Sequence, residues 1–170
     1  MKKKSKLQKL ANAYKDYYKH LFIAMMCLGF IYGSFNESLW DELAKNTIVN
    51  SFMDLLANNI KVSLWGFFTA GFATLSSVFL SFSMVGSFFA QTGSIVYLSI
   101  LLIHGVTELL GIYFVSYAGI VFFLSDKKFL FDKRYDWKAL KFLCLGTALI
   151  IFSAIIEWNV SLVVFKMLSS

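Results

Sequence analysis

Three ionisable side chains stand in stretches apolar enough to sit in lipid: His104, Glu108 and Glu157. His104 and Glu108 are four residues apart, so on a helix they share a face. An ionisable residue inside a membrane span costs about 2.5–3.5 kcal/mol on insertion scales and turns toward protein or a water-filled cavity. Such residues can pass protons, hold a peptide by its polar groups, or fasten helices together. A fastening contact is worth only about 0.6–2 kcal/mol, so three of them form a candidate site, called here the His104/Glu108/Glu157 constellation. Asn58 and Asn59 precede an apolar run and are taken as binding residues, with Gly105 beside the histidine and Gly86 in the preceding run.

One histidine and two carboxylates resemble a partial metal set, but nothing completes it. The chain has no HExxH, no second histidine at membrane depth and no cysteine pair. No serine has the surroundings of a nucleophile elbow. The expectation is therefore no metal and no cofactor. An intramembrane peptidase or cyclase remains an alternative without a motif of its own.

The elements that position these residues follow from composition. Of 170 residues, 58% are hydrophobic, 18% aromatic and only 15% charged, with a mean hydropathy of +0.67. A soluble domain of this length has too little interior for so much apolar surface. The apolar runs are continuous and do not alternate, which excludes a β-barrel. The fold class is all-α: a polytopic membrane helix bundle of about five transmembrane helices, with amphipathic helices at the interface.

Residues 1–19 read as a basic amphipathic arm. Leu7, Leu10, Tyr14 and Tyr17 recur at helical spacing with lysines opposite. Residues 20–170 read as one bundle with spans at about 20–35, 60–82, 84–103, 105–124 and 142–165. The turns fall near Ser81–Ser83 and at His104-Gly105. Asn36–Asn59 is acidic, with an amphipathic helix over its second half. Ser125–Lys141 is strongly basic, and with the lysine-rich arm it puts the N-terminus in the cytoplasm. The chain is then a multi-pass membrane protein. The net charge of +6 sits where lipid headgroups would meet it, without the aromatic-basic groove of a nucleic-acid binder, so no nucleic acid is expected. Gly29 and Gly33 form a GxxxG pair that permits close approach of another helix, including one from a second copy in a homo-oligomer. Cys27 and Cys144 lie in apolar runs and are read as packing residues.

Ile103-His104-Gly105-Val106-Thr107-Glu108-Leu109-Leu110, followed by Ala118-Gly119, resembles the PHG-x-x-E … A-G signature of the stage II sporulation protein M family, also called DUF95. Phe52 to Asn59, ending in Asn58-Asn59, resembles the family's approach to its second span, and Gly71 and Gly86 fit glycines that follow. Ala154-Ile155-Ile156-Glu157 resembles the A-x-I-E of its last span. Ile103 stands where the family has proline, and Ser81-Phe82 where it has Asn-Gly. The resemblance implies that His104, Glu108, Glu157 and Asn59 carry the family function. In size and lysine content the chain is similar to members found in gene clusters for circular bacteriocins of Gram-positive bacteria. That likeness implies a role in maturation, export or self-protection. The implied partners are membrane lipid, a hydrophobic precursor peptide, an ABC-type ATPase and other membrane proteins of the cluster. Sporulation members instead imply a scaffold for a peptidoglycan-hydrolase complex.

Overall fold

The computed structural model describes residues 6–36, 38–39, 51–93, 95–124 and 137–168, with side chains over 9–36, 38–39, 51–93, 105–123 and 137–159. The basic loop, most of the acidic segment and the side chain of His104 lie outside the described residues. Five long helices make up the fold, and no strand occurs among the described residues: α1 (Lys6–Ser34), α2 (Phe52–Phe68), α3 (Phe72–Thr92), α4 (Ile95–Leu124) and α5 (Trp137–Leu168). The all-α class read from composition is the class observed. Three segments are long and apolar enough to cross a membrane: Phe72–Thr92, Gly105–Phe123 and Trp137–Asn159.

Several boundaries differ from those read in the sequence. The arm and the expected first span are one uninterrupted helix, α1. The expected span 60–82 is two helices, broken by a tight turn at Thr69, Ala70 and Gly71. Ala70 and Gly71 take left-handed φ values of 48° and 85°, which the helix cannot continue through. The Thr69 side chain fastens the break: its hydroxyl donates to the Trp65 carbonyl (2.6 Å) and accepts from the Ala73 N–H (3.0 Å). The turns expected at Ser81–Ser83 and at His104-Gly105 are absent, because both stretches are helix interior. The chain reverses instead at Gly93, with φ at 60°. With no proline, only backbone positions that need positive φ end a helix in this charge-free region.

The expected interfacial helix before Asn59 is instead the first two turns of α2. Ser51 caps it, with its Oγ accepting from the Asp54 N–H at 3.2 Å and donating to the Asp54 carboxylate at 2.8 Å. Ser51→Ala should remove this cap and cost about 1 kcal/mol, read as a lower thermal midpoint in detergent.

Helix direction follows from which residues meet. α1 and α3 run parallel, since Gly29 sits against the Phe79 carbonyl and Gly33 against that of Ser83. Gly86 returns the contact against the Phe30 carbonyl. At each of these glycines a Cβ would collide with backbone of the other helix. The GxxxG pair is therefore spent inside the chain, on α3. So is Gly86, which serves this helix contact on the other side of the bundle from the glutamates.

α4 and α5 run antiparallel, with Gly111 and Gly146 facing each other and Phe142 against Phe114 and Tyr117. α2 is parallel to α4 and antiparallel to α5, because Phe67 meets Phe122 and Phe52 meets Trp158. Two apolar cores result. Tyr18, Phe22, Leu75, Val78 and Ile120 join α1, α3 and α4. Ile112, Val115 and Ile150 join α4 and α5, with Val62 and Phe67 of α2 packed on them.

Three polar contacts join helices at the end of the bundle where α1 begins. Tyr14 donates to the Ala70 carbonyl (3.0 Å) and Tyr18 to that of Gly71 (3.4 Å). Thr74 and Ser116 share a 2.5 Å hydrogen bond over Gly66. Many large apolar side chains point outward, among them Leu10, Ile31, Phe72 and Phe152, as expected of a surface wetted by lipid. Cys27 and Cys144 are free and exposed on this outer face, which corrects their reading as packing residues.

Candidate functional site

The site is built on the three-helix layer of α2, α4 and α5. Val62 packs against the cluster that holds Ile112 and Ile150. One turn from each, toward the same end of the bundle, stand Asn59, Glu108 and Ser153. Glu157 lies one turn beyond Ser153. In a helix each Cα–Cβ bond tilts toward the N-terminus. Since α4 and α5 are antiparallel, the Glu108 and Glu157 side chains lean toward one another. The result is a pair of carboxylates on facing helices at neighbouring levels of the bundle. Both residues are half-buried. Among the described residues no cluster of three or more histidines, cysteines or acids could hold a metal ion.

Asn59 is only 4% exposed, and its Nδ2 has no hydrogen-bond partner among the described residues. Its backbone carbonyl accepts from the Ser63 hydroxyl at 2.7 Å. An unpaired buried amide donor costs about 1–3 kcal/mol, and this one stands at the level of Glu108, one turn from that of Glu157. Gly105 is half-buried on α4, one turn from Glu108, with nothing within 4 Å of where its Cβ would be. Among the described residues nothing fills the space beside Gly105.

The other sequence candidates fall elsewhere. Asn58 is exposed and points away from the layer that holds Asn59. His104 lies within α4 one turn before Glu108, near the level of Glu157. The tyrosine clasp on the α2–α3 turn and the Thr74–Ser116 bond were missed in the sequence. A Tyr-x-x-x-Tyr spacing and isolated hydroxyls in apolar runs were the available signals, and both are common in cores.

Comparison with known families agrees with the motif reading. The model of the family described as stage II sporulation protein M matches residues 19–161. The chain belongs to that family. No curated protein and no solved structure matches it. The match extends from within α1 to α5, so Asn59, Glu108 and Glu157 all lie inside the family region. Together with the three apolar helices it makes this a membrane protein.

Proposed function

We propose that this chain is an integral membrane component of circular bacteriocin biosynthesis, acting in precursor maturation, export or self-protection. In this reading Glu108 and Glu157 meet the hydrophobic precursor peptide. The supporting observation is the carboxylate pair itself. Two acids lean together at membrane depth beside an unpaired Asn59 amide, and an arriving ammonium or lysine would relieve their repulsion while a peptide carbonyl took the Asn59 donor. His104 completes the site as the family motif implies. The helices then cross the membrane five times, with the lysine-rich start of α1 and the basic loop before α5 in the cytoplasm. That arrangement is supported by the alternating helix directions from α2 to α5. An ABC-type ATPase would supply the energy for export from the cytoplasmic side.

A gene cluster reconstituted in a heterologous host tests the proposal. Omitting this chain should abolish mature circular peptide, or leave the producer sensitive to it. Production and immunity that persist unchanged would refute it. For topology, single cysteines at Lys9 and Lys138 should react with an impermeant maleimide only after the cells are opened.

The family match favours a second reading, a sporulation-type scaffold for a peptidoglycan-hydrolase complex. Under it the same omission would leave the peptide untouched and would arrest septal wall removal in a spore former.

A further inference from the structure

A second feature lies away from the glutamates, on the outer surface between α1 and α4. Lys19, Phe22, Ile23 and Met26 of α1 face Val106, Leu109, Leu110 and Tyr113 of α4 across a groove of about 300 Å³. Ile23, Val106 and Leu110 are each 45–49% exposed, so the groove is open along its length. Its floor is rigid, because the Phe22 and Tyr113 rings meet edge to face at 5.3 Å and Tyr18 stacks on Tyr113 at 5.8 Å.

The chemistry of the lining is uneven. Lys19 is the one charged residue among the described lining residues and stands at one end. Lys15 is one turn away on the same face of α1, further toward the start of the helix, and Lys9 continues the basic character. Asp16 lies between Lys15 and Lys19 on an exposed face, which leaves the two lysines in excess. From Lys19 to Met26 the groove extends about 10 Å at 1.5 Å per residue. An acyl chain reaches about 15 Å in a leaflet of a 30 Å hydrocarbon core. A cation at one end of an apolar channel about two thirds that length matches an amphiphile with a negative head and a hydrocarbon tail.

We propose that the α1–α4 groove is a binding site for one anionic phospholipid, its phosphate against Lys19 and Lys15 and one acyl chain between Ile23, Met26, Val106 and Leu110. The site lies outside the carboxylate layer, and its occupation would brace α1 against α4, which are otherwise joined mainly through Tyr18, Phe22 and Tyr113. A bulk anionic surface acts on every lysine alike. The groove instead makes one lysine and one apolar wall count together.

The test uses the full chain in nanodiscs of phosphatidylcholine with a minor fraction of phosphatidylglycerol, and native mass spectrometry of the lipids that stay bound on release. The wild-type chain should retain one phosphatidylglycerol in preference to phosphatidylcholine. Lys19→Gln should reduce that preference about fivefold, the equivalent of about 1 kcal/mol for one lysine at a membrane surface. Leu110→Trp, which fills the groove with all charges intact, should also lose the retained lipid, and Lys9→Gln should not. Equal retention of the two lipids would overturn the proposal. So would a loss with Lys9→Gln as large as with Lys19→Gln, or full retention in Leu110→Trp. A groove protected by an added apolar peptide and indifferent to phosphatidylglycerol would assign it to peptide and overturn the lipid site.

Discussion

Glu108→Gln should cut function about tenfold to hundredfold while leaving the protein as stable as before, or more so. Glutamine keeps the shape and removes one of two charges that repel. The variant should therefore insert at wild-type level with an unchanged or raised thermal midpoint. Each kcal/mol gained would lift the midpoint by about 2–4 °C in a chain of this size. Losing a charged partner for an incoming ammonium costs about 1.5–3 kcal/mol, a tenfold to hundredfold drop in mature peptide from the reconstituted cluster. Glu157→Gln should behave alike, and the double variant should be little worse than either single one, because groups that act as a unit lose their effect together. Wild-type yield from a normally inserted Glu108→Gln would end the case for the carboxylate pair. A fall in stability would mean that the pair fastens the bundle instead.

The second large effect is a contrast within one substitution type. Gly33→Ala and Gly86→Ala each place a methyl group into backbone of the facing helix, at the Ser83 and Phe30 carbonyls. Neither helix can yield locally, so α1 and α3 must separate. Overpacking of a core costs about 1–3 kcal/mol where side chains can adjust, and backbone gives less, so at least about 3 kcal/mol is expected. Gly105→Ala meets nothing within 4 Å and replaces a glycine inside a helix, which should stabilise by about 0.5–1 kcal/mol. Thermal unfolding in detergent should order the variants Gly105→Ala, wild type, Gly86→Ala and Gly33→Ala from most to least stable. The order of the last two is set by how closely backbone crowds each site, and Ser83 lies nearer to a Cβ at Gly33 than Phe30 and Ser34 lie to one at Gly86. Should Gly105→Ala raise stability and yet reduce function, the open space beside Glu108 is used by the ligand.

The same glycines explain how far the sequence could be read. Apolar content settled the helical membrane class, and the positions of Asn59, Glu108 and Glu157 in apolar runs marked them out. Helix ends were harder. Gly71, Gly86, Gly93 and Gly105 look alike in a charge-free stretch, but only Gly71 and Gly93 take positive φ. Gly86 is a packing surface and Gly105 an ordinary helical residue, so turns placed near them were wrong. Nothing local separates a glycine that ends a helix from one that admits a neighbour, since the difference lies in what the other helix brings. The adjacency of the glutamates was accessible once α4 and α5 were taken as neighbours. Separating Asn58 from Asn59 required knowing which face of α2 meets the bundle. Phe52, Leu55, Asn59, Val62 and Ser63 follow that face, and Asn58 does not.

The unequal helix lengths have a mechanical consequence. α2, at 17 residues, reaches about 25 Å, whereas α4 and α5, at 30 and 32 residues, reach about 45 Å. A hydrocarbon core is about 30 Å thick. Under the proposed five-span topology, lipid along the α2 flank would be drawn inward to match the short helix, while lipid along the α4–α5 flank would not be compressed. Lys61 and Trp65, both exposed on α2, favour that thinning by pulling headgroups and water toward them. In that topology the bundle would act as a wedge that strains the bilayer on one side only, and the thinned side is where a chain passing through the membrane would have the shortest distance to travel.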